Sequence, residues 1–173
     1  MKVDSILKKA ENGERINFEE GVYLYQNASL AQLGVTANQI RTQKADPEIV
    51  TYLVDRNINY TNVCTTNCKF CNFYRPPGHE EAYILSREEL NQKIIETKEI
   101  GGTRILMQGG HHPDLPLTWY TDLLKWLRAT HPEIELDCFS PSEIDNLCLV
   151  EGRNAFEILE ELRDAGLRGL PGG

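Results

Sequence analysis

The sequence has no apolar run near the roughly 18 uninterrupted residues that a membrane-spanning helix needs. It also has no apolar core behind its first residues that could act as a secretion signal. Met1-Lys2-Val3-Asp4 is followed instead by the charged run Lys8-Lys9-Ala10-Glu11. We therefore expect a cytoplasmic protein without a membrane span.

Positive charge is also scarce in this chain. The 173 residues include 18 Lys and Arg against 26 Asp and Glu, which gives a net charge of −8 with neutral histidines. Because phosphate contacts need a local excess of Lys and Arg, we do not expect nucleic-acid binding. With 40% hydrophobic and 25% charged residues, the composition is typical of a globular protein that buries a core rather than of a disordered chain.

Cysteine is too sparse and too unevenly spaced for a disulfide framework. The chain has five cysteines, an odd number in a sequence without a secretion signal. Cys64, Cys68 and Cys71 lie close together, whereas Cys138 and Cys148 stand apart. The cluster of three indicates a metal site, and Cys138 is expected to behave as a small buried hydrophobe on a strand.

Residues 1–56 are predicted to form a helical leader. Within it, residues 4–33 have helix-forming sequence, and Gly34 is predicted to end that helix. The residues predicted to share its buried face are Phe18, Val22, Tyr25 and Ser29. A short helix is predicted over 47–54, because Pro is tolerated at the first helical position and Asp46 suits the cap before it.

From residue 57 onward, short strands alternate with capped helices, which predicts an α/β fold. The predicted strands are 57–63, 103–108, 135–140 and 167–170. The predicted helix caps are Ser86, Thr118 and Asn154. After the first unit the strands recur about every 30 residues, the length of a βα repeat with a right-handed crossover. The strands are therefore expected to be parallel, in a barrel or a doubly wound sheet.

Ligands of such folds lie at the carboxyl ends of the strands. The chemically suggestive groups all follow predicted strands, and we expect them on one rim: Cys64, Gly109-Gly110-His111-His112, Ser140 with Glu143, and Gly172-Gly173. Four strands of a parallel barrel leave two open edges. We therefore expect the chain to be the N-terminal part of a longer barrel.

The run Cys64-Thr65-Thr66-Asn67-Cys68-Lys69-Phe70-Cys71 offers three thiolates on one tight loop. Three such ligands can hold three irons of a cubane cluster and leave the fourth iron without a protein ligand. Ferredoxins and structural zinc sites close their shells with a fourth ligand, so a missing fourth ligand indicates a site that binds another molecule. The alternative is a zinc knuckle in which His79 is the fourth ligand.

The C-x3-C-x2-C spacing, with Phe70 before the last cysteine and a strand before the first, resembles the motif of the radical S-adenosylmethionine (SAM) enzymes. The runs 59–64 and 72–75 resemble the subgroup that acts on futalosine compounds and on the deazaflavin cofactor precursor. The runs that resemble the cyclic dehypoxanthinyl futalosine synthases of menaquinone biosynthesis are 108–117, 119–120, 140–144 and 169–173. The likeness extends from about residue 57 to the end and covers roughly the first half of such an enzyme.

The resemblance implies that residues 57–173 form strands 1 to 4 of a radical-SAM (βα) TIM-like barrel. It implies a 4Fe-4S cluster on Cys64, Cys68 and Cys71 whose open iron binds SAM. The 5′-deoxyadenosyl radical made there would take a hydrogen from the ribose of dehypoxanthine futalosine, which then cyclises. An electron donor such as flavodoxin or ferredoxin is implied as a partner.

Other site residues are expected around the cluster. His111 and His112 are candidates for substrate contact or proton transfer, and Glu143 is a candidate catalytic residue with a helix-start charge as its alternative. The resemblance places Gly109 and Gly110 at the methionine end of SAM, where the absence of a side chain admits a ligand. The predicted cofactor-binding residues are Phe70, Tyr74, Gln108, Gly109, Gly110 and Ser140.

Lys69 and Arg75 are candidates for easing reduction of an anionic cluster, with solvated loop charge as the alternative.

Two rival functions remain open. The first is an aminofutalosine synthase or deazaflavin-cofactor synthase, which would share the cysteine motif. The second is a cluster- or zinc-binding scaffold without catalysis.

Overall fold

The computed structural model describes residues 2–172 of the chain. The chain divides into two compact units, Met1–Tyr52 and Leu53–Gly173. No helix within residues 2–172 combines the length and the apolar character needed to cross a membrane.

The first unit is helical, as the sequence predicts, but it contains three helices. They are α1 (Val3–Glu11), α2 (Phe18–Asn27) and α3 (Leu30–Lys44). Two reciprocal capping boxes, Asn17 with Glu20 and Ser29 with Gln32, begin α2 and α3. These caps satisfy backbone N–H groups that a helix start leaves free, so the chain turns at residues 28–29 instead of continuing one helix.

Three details of the predicted leader are wrong. Phe18 and Tyr25 are 80% and 90% exposed, and Leu24 is the buried residue of α2. Gly34 lies inside α3 rather than at a helix end. Residues 47–54 contain no helix, because the side chain of Asp46 accepts the backbone N–H of Glu48 (2.9 Å) and closes a local turn instead.

The second unit contains a parallel three-stranded sheet, as predicted. Its strands are β1 (Asp55–Asn59), β2 (Arg104–Gln108) and β3 (Glu135–Cys138) in the order β1-β2-β3. The predicted fourth strand, 167–170, is reduced to one parallel bridge between Asp137 and Gly169. The bridge lies beside β3, where the next strand of a parallel barrel belongs.

Four helices accompany the sheet: α4 (Arg87–Glu99), α5 (Leu117–Thr130), α6 (Pro141–Glu151) and α7 (Ala155–Asp164). The predicted caps Ser86 and Asn154 are confirmed. The predicted cap Thr118 is wrong, because α5 starts at Leu117, two residues earlier than predicted, with Pro116 as its N-cap. On α7, Ile158 and Leu162 are buried, whereas Phe156 is 77% exposed.

Two strands end earlier than the sequence predicts. β3 stops at Cys138 because Phe139 adopts a left-handed backbone (φ 64°), a conformation that breaks the extended chain. Ser140 is therefore the N-cap of α6, with Pro141 in the first turn. β1 stops at Asn59, and the predicted remainder, 60–63, makes only isolated bridges.

The core lies between the sheet and its helices. Buried strand residues alternate along the chain, as a half-covered strand requires. The central ones are Ile58, Ile105, Met107, Leu136 and Cys138. Cys138 is fully buried among apolar side chains, as predicted. Burial raises the pKa of its thiol, so this cysteine stays protonated.

Candidate active site

A cavity of about 650 Å³ opens beyond the carboxyl ends of the three strands. Its volume falls in the range of small-molecule sites. The predicted site residues that line it are Cys64, Cys68, Phe70, Cys71, Tyr74, Gln108, Gly109, Gly110, His111, Ser140 and Glu143. Residues that follow β1, β2 and β3 therefore meet on one rim, as predicted. Gly172, also expected on this rim, does not line the cavity, and Gly173 lies outside the described residues.

The three clustered cysteines are free, half-buried thiols on a loop that follows β1. The backbone N–H of Cys71 donates to the carbonyl oxygen of Cys68 (3.0 Å), which closes a tight turn. Asn67, just before that turn, has a left-handed backbone (φ 51°). The backbone N–H of Thr66 donates to the Cys64 sulfur (3.5 Å).

Within residues 2–172, no three His, Cys, Asp or Glu side chains converge on a point suited to a single metal ion. A cubane cluster does not require such convergence, since each thiolate binds a different iron. His79 does not line the cavity that the three cysteines share. It lines a separate groove, and of the three cysteines Cys71 is the one that lines this groove as well. Its Nδ1 accepts the N–H of Glu81 (3.1 Å). The donor set therefore fits a three-thiolate cluster better than a zinc knuckle.

The cysteine loop is anchored at both of its ends. The backbone N–H of Cys64 donates to the carbonyl of Arg75 (2.9 Å), and the N–H of Arg75 donates to the carbonyl of Asn62 (2.7 Å). The Asn62 side chain accepts the N–H of Tyr83 (2.8 Å) and donates to the carbonyl of Glu81 (2.9 Å). These bonds close the insertion between β1 and α4 into a fixed loop.

Gly109 and Gly110 follow β2 and lack room for a side chain. A Cβ at Gly110 would lie 2.1 Å from the carbonyl oxygen of Val63 and 2.7 Å from the Cys64 Cβ. A Cβ at Gly109 would lie 2.5 Å from the Tyr60 ring. The sequence predicts glycine here for ligand access; the structure adds a second reason, the close packing of this turn on the chain that carries Cys64.

The two adjacent histidines occupy different positions. His111 lines the cavity, and burial lowers its pKa, so its imidazole is neutral near pH 7. His112 lies outside the cavity lining. Its Nδ1 accepts the N–H of Asp114 (3.1 Å), and its carbonyl accepts the side chain of Asn146 (3.1 Å). These bonds give His112 a part in shaping the turn before α5.

Ser140 and Glu143 form the capping box that begins α6. Glu143 is only 3% exposed, although its carboxylate reaches the cavity wall. Burial raises its pKa, and hydrogen bonds from Tyr60, Ser140 and Gly109 oppose that rise. Glu143 therefore does lie at a helix start, the alternative to a catalytic role. It is also the centre of a buried hydrogen-bond network.

The aromatic residues of the loop border the cavity mouth. Phe70 is 92% exposed, and the hydroxyl of Tyr74 donates to the side chain of Asn67.

The two cations proposed to ease reduction of the cluster, Lys69 and Arg75, differ in their surroundings. Arg75 is paired with Glu81 (2.6 Å), so its charge is partly neutralised, whereas Lys69 is exposed.

Five lining residues were not predicted from the sequence: Asn59, Asn62, Thr66, Phe73 and Ser142. Asn59 could have been found, because it is the last residue of β1 and strand ends carry the ligand site. Thr66 carried no signal of its own, since its partner is His111, distant in the sequence.

Residues 58–173 match the family described as the radical SAM superfamily. Over 173 residues the chain is 46% identical to the cyclic dehypoxanthine futalosine synthase of Halalkalibacterium halodurans, covering 100% of this chain and 47% of that protein. Over 168 residues it is 39% identical to the aminodeoxyfutalosine synthase of Streptomyces coelicolor, covering 96% and 43%. The chain spans about half the length of these curated relatives.

Solved structures share the fold. HydG, a maturase of the FeFe-hydrogenase, superposes with a TM-score of 0.67 at 20% identity, over 95% of this chain and 35% of that chain. Methylornithine synthase (PylB) gives 0.55 at 15% identity, over 96% and 57%. The fold is thus that of the N-terminal part of a TIM-like barrel. With the family match over 58–173 and the three cysteines in its cavity, the chain belongs to the radical SAM superfamily.

Proposed function

We propose that the protein is a cyclic dehypoxanthinyl futalosine synthase, acting in the futalosine route to menaquinone. The observation that carries this proposal is the cavity that Cys64, Cys68, Cys71, the Gly109-Gly110 turn and His111 line together. The choice among futalosine enzymes is supported by the 46% identity to a cyclase across the whole chain and by the run Gly109-Gly110-His111-His112-Pro113-Asp114.

The thiolates of Cys64, Cys68 and Cys71 would hold a 4Fe-4S cluster. When bound there with SAM, such a cluster would supply the electron that converts SAM into a 5′-deoxyadenosyl radical, the species that would take one hydrogen atom from the substrate ribose. The polypeptide binds and aims the reactants and limits access of water. Here Phe70, Phe73 and the ring of Tyr74 supply apolar walls at the cavity mouth.

Polar side chains of the cavity lining can bind the nucleoside parts of cofactor and substrate. Asn59 and Gln108 end adjacent strands in register and line the cavity. The Asn59 side chain donates to the carbonyl of Gln108 (3.2 Å), which fixes its orientation. The amide of Gln108 can then hydrogen-bond a ribose or base, and Ser142 offers a hydroxyl from the start of α6.

His111 is suited to receive a proton. Ring closure would join the sugar carbon to the aromatic ring, and the product would form when that ring loses one proton to a base and one electron to a one-electron acceptor such as an oxidised iron–sulfur cluster. The His111 imidazole is neutral because burial lowers its pKa, and Thr66 engages its Nδ1. With Nδ1 protonated and donating to the Thr66 oxygen, Nε2 is the basic atom that takes up the proton.

Two related activities compete with the cyclase. The chain is 39% identical to an aminodeoxyfutalosine synthase over 168 residues and 44% identical to the FO synthase of Mycobacterium leprae over 123 residues, 14% of that protein. All three would use the same cysteines. An electron donor such as flavodoxin or ferredoxin and a cytoplasmic location complete the proposal.

Product analysis separates the three activities. The anaerobically reconstituted protein is incubated with a reductant, SAM and one candidate substrate at a time, and products are identified by mass spectrometry. The proposal expects 5′-deoxyadenosine together with a cyclic product two hydrogen atoms lighter, from dehypoxanthine futalosine only. Turnover of the aminodeoxyfutalosine or deazaflavin precursors instead would reject the cyclase assignment.

A further inference from the structure

Glu143 is the only Asp or Glu among the residues that line the cavity within the described part of the chain. Both of its carboxylate oxygens are occupied by donors. Oε1 accepts the hydroxyl of Tyr60 (2.7 Å) and the backbone N–H of Gly109 (2.9 Å). Oε2 accepts the N–H and the hydroxyl of Ser140, each at 2.8 Å. A carboxylate has about four acceptor directions, so none is left for a substrate proton.

We propose that Glu143 is a positioning residue, not an acid or base, and that it holds the Gly109-Gly110 turn against Cys64. The effect on SAM binding rests on the proposed function. The contacts that hold the turn are contacts within the polypeptide and do not depend on it. It also replaces the catalytic role that the sequence predicted for Glu143.

The contacts form a continuous path from α6 to Cys64. Glu143 binds the N–H of Gly109, and the ring of Tyr60 packs against Gly109 so closely that a Cβ there would collide with it. The next N–H, that of Gly110, donates to the carbonyl of Thr61 (3.2 Å). Gly110 then packs directly on the Cys64 Cβ. Movement at Glu143 is therefore passed to the first cysteine through two rigid contacts.

The network requires an ionised Glu143, because all four partners donate. The carboxylate is the third residue of the eleven-residue helix α6, where the helix dipole favours negative charge. Burial and the nearby Glu143 charge raise the pKa of Tyr60 well above its ordinary value, which keeps the tyrosine protonated as a donor. Glu143 thus stays ionised as the acceptor, and Tyr60 stays protonated as the donor.

Glu143→Gln tests the inference with little change in side-chain shape. It disrupts the network because the amide nitrogen, itself a donor, must then face N–H or O–H donors. The first readout is the alkylation rate of Cys64 by iodoacetamide in metal-free protein, measured by mass spectrometry with Cys148 as internal reference. We expect Cys64 to react several-fold faster than in the parent protein. Tyr60→Phe keeps the charge, removes one donor, and should cause a smaller increase.

Glu151→Gln is the matched control. Glu151 also accepts a backbone N–H at a helix start, that of Leu117 (2.6 Å), but it does not line the cavity. Cys64 reactivity should not change in this variant. An unchanged Cys64 rate in Glu143→Gln would overturn the inference even if the parent protein binds cluster and SAM as proposed.

The second readout uses the cluster-loaded protein. Glu143→Gln should retain its iron, bind SAM about tenfold more weakly, as expected for one lost hydrogen bond to a charged group, and keep the parent pH profile of turnover. Loss of one limb of that profile, with SAM affinity unchanged, would identify Glu143 as a proton-transfer residue and refute the positioning role. Absence of a cluster in the parent protein would reject the proposed function, and the alkylation test would still decide the inference.

Discussion

The Nδ1 atom of His111 lies 2.8 Å from the hydroxyl oxygen of Thr66. The carbonyl oxygen of the same histidine accepts the backbone N–H of Thr65 (3.2 Å). His111, on the turn that follows β2, thus binds the cysteine loop through both its side chain and its backbone. The loop that carries the predicted cluster ligands is held by the same residue that we propose takes up the substrate proton.

Thr66→Val removes this hydroxyl with nearly the same side-chain shape. One neutral hydrogen bond contributes about 1 kcal/mol, so we expect the loop to open more often and the cluster to lose iron several-fold faster to a chelator. The initial iron content should stay normal, because the three cysteines remain. Thr118→Val, at an exposed position of α5, is the control and should lose iron at the parent rate.

Each of the variants Cys64→Ala, Cys68→Ala and Cys71→Ala should abolish stable cluster binding, because a cubane held by only two thiolates loses iron readily. Cys138→Ala should leave iron per protein unchanged, since Cys138 is buried in the apolar core. Iron and sulfide analysis after anaerobic reconstitution measures both. Full iron in a variant lacking all three clustered cysteines would disprove the ligand assignment.

Gly110→Ala should damage the site sterically. The new Cβ would meet the Val63 carbonyl and the Cys64 Cβ, and such overpacking costs about 1–3 kcal/mol. We expect a lower urea midpoint and weaker SAM binding. In Gly34→Ala, inside α3 with open space around the Cβ, the free energy of unfolding should rise by about 0.5–1 kcal/mol. Equal effects of the two substitutions would contradict the packing account.

Stability should fall in mild acid because of His131. Its ring is buried, and burial, followed by the nearby Lys98 charge, lowers its pKa, while Glu133 opposes the shift. The unfolded chain therefore binds a proton more readily than the folded chain. The stabilisation is complete above the ordinary histidine pKa of about 6.5 and is lost as the pH falls through the lowered folded value.

Urea unfolding at a series of pH values from 7.5 downward measures this dependence. Burial lowers the pKa of His111 and His112 as well, so these residues add to the same trend. The matched variant His131→Gln can still reach Asn91, the partner of the His131 Nε2 (2.9 Å). The free energy of unfolding of this variant should fall less steeply with decreasing pH than that of the parent protein. An identical fall in both proteins would show that His131 is not the cause.

The sheet and the cysteine site were predictable because their signals are local. Ser86 and Asn154 mark helix starts within four residues of sequence, and the cysteine spacing is contained in one loop. The early end of β3 was not predictable, because the left-handed backbone of Phe139 goes with a ring that packs on Tyr60 and Tyr120, residues remote in sequence.

The exposed face of α2 was missed for a similar reason. Phe18 and Tyr25 have the spacing of a buried stripe, but tertiary packing selected Leu24 against Ile6 and Leu7. The network of Glu143 was also invisible, since Tyr60 lies 83 residues earlier in the chain. Periodicity shows that a helix has an apolar face, whereas its packing partner is a property of the folded chain.

The proposed activity depends on a three-thiolate cluster with an open iron that binds SAM. Electron paramagnetic resonance of the anaerobically reconstituted, reduced protein, recorded with and without SAM, tests it most directly. We expect the signal of a reduced 4Fe-4S cluster whose g values shift when SAM is added. A protein that instead holds four-coordinate zinc on Cys64, Cys68 and Cys71, or a cluster whose signal is indifferent to SAM, would contradict it.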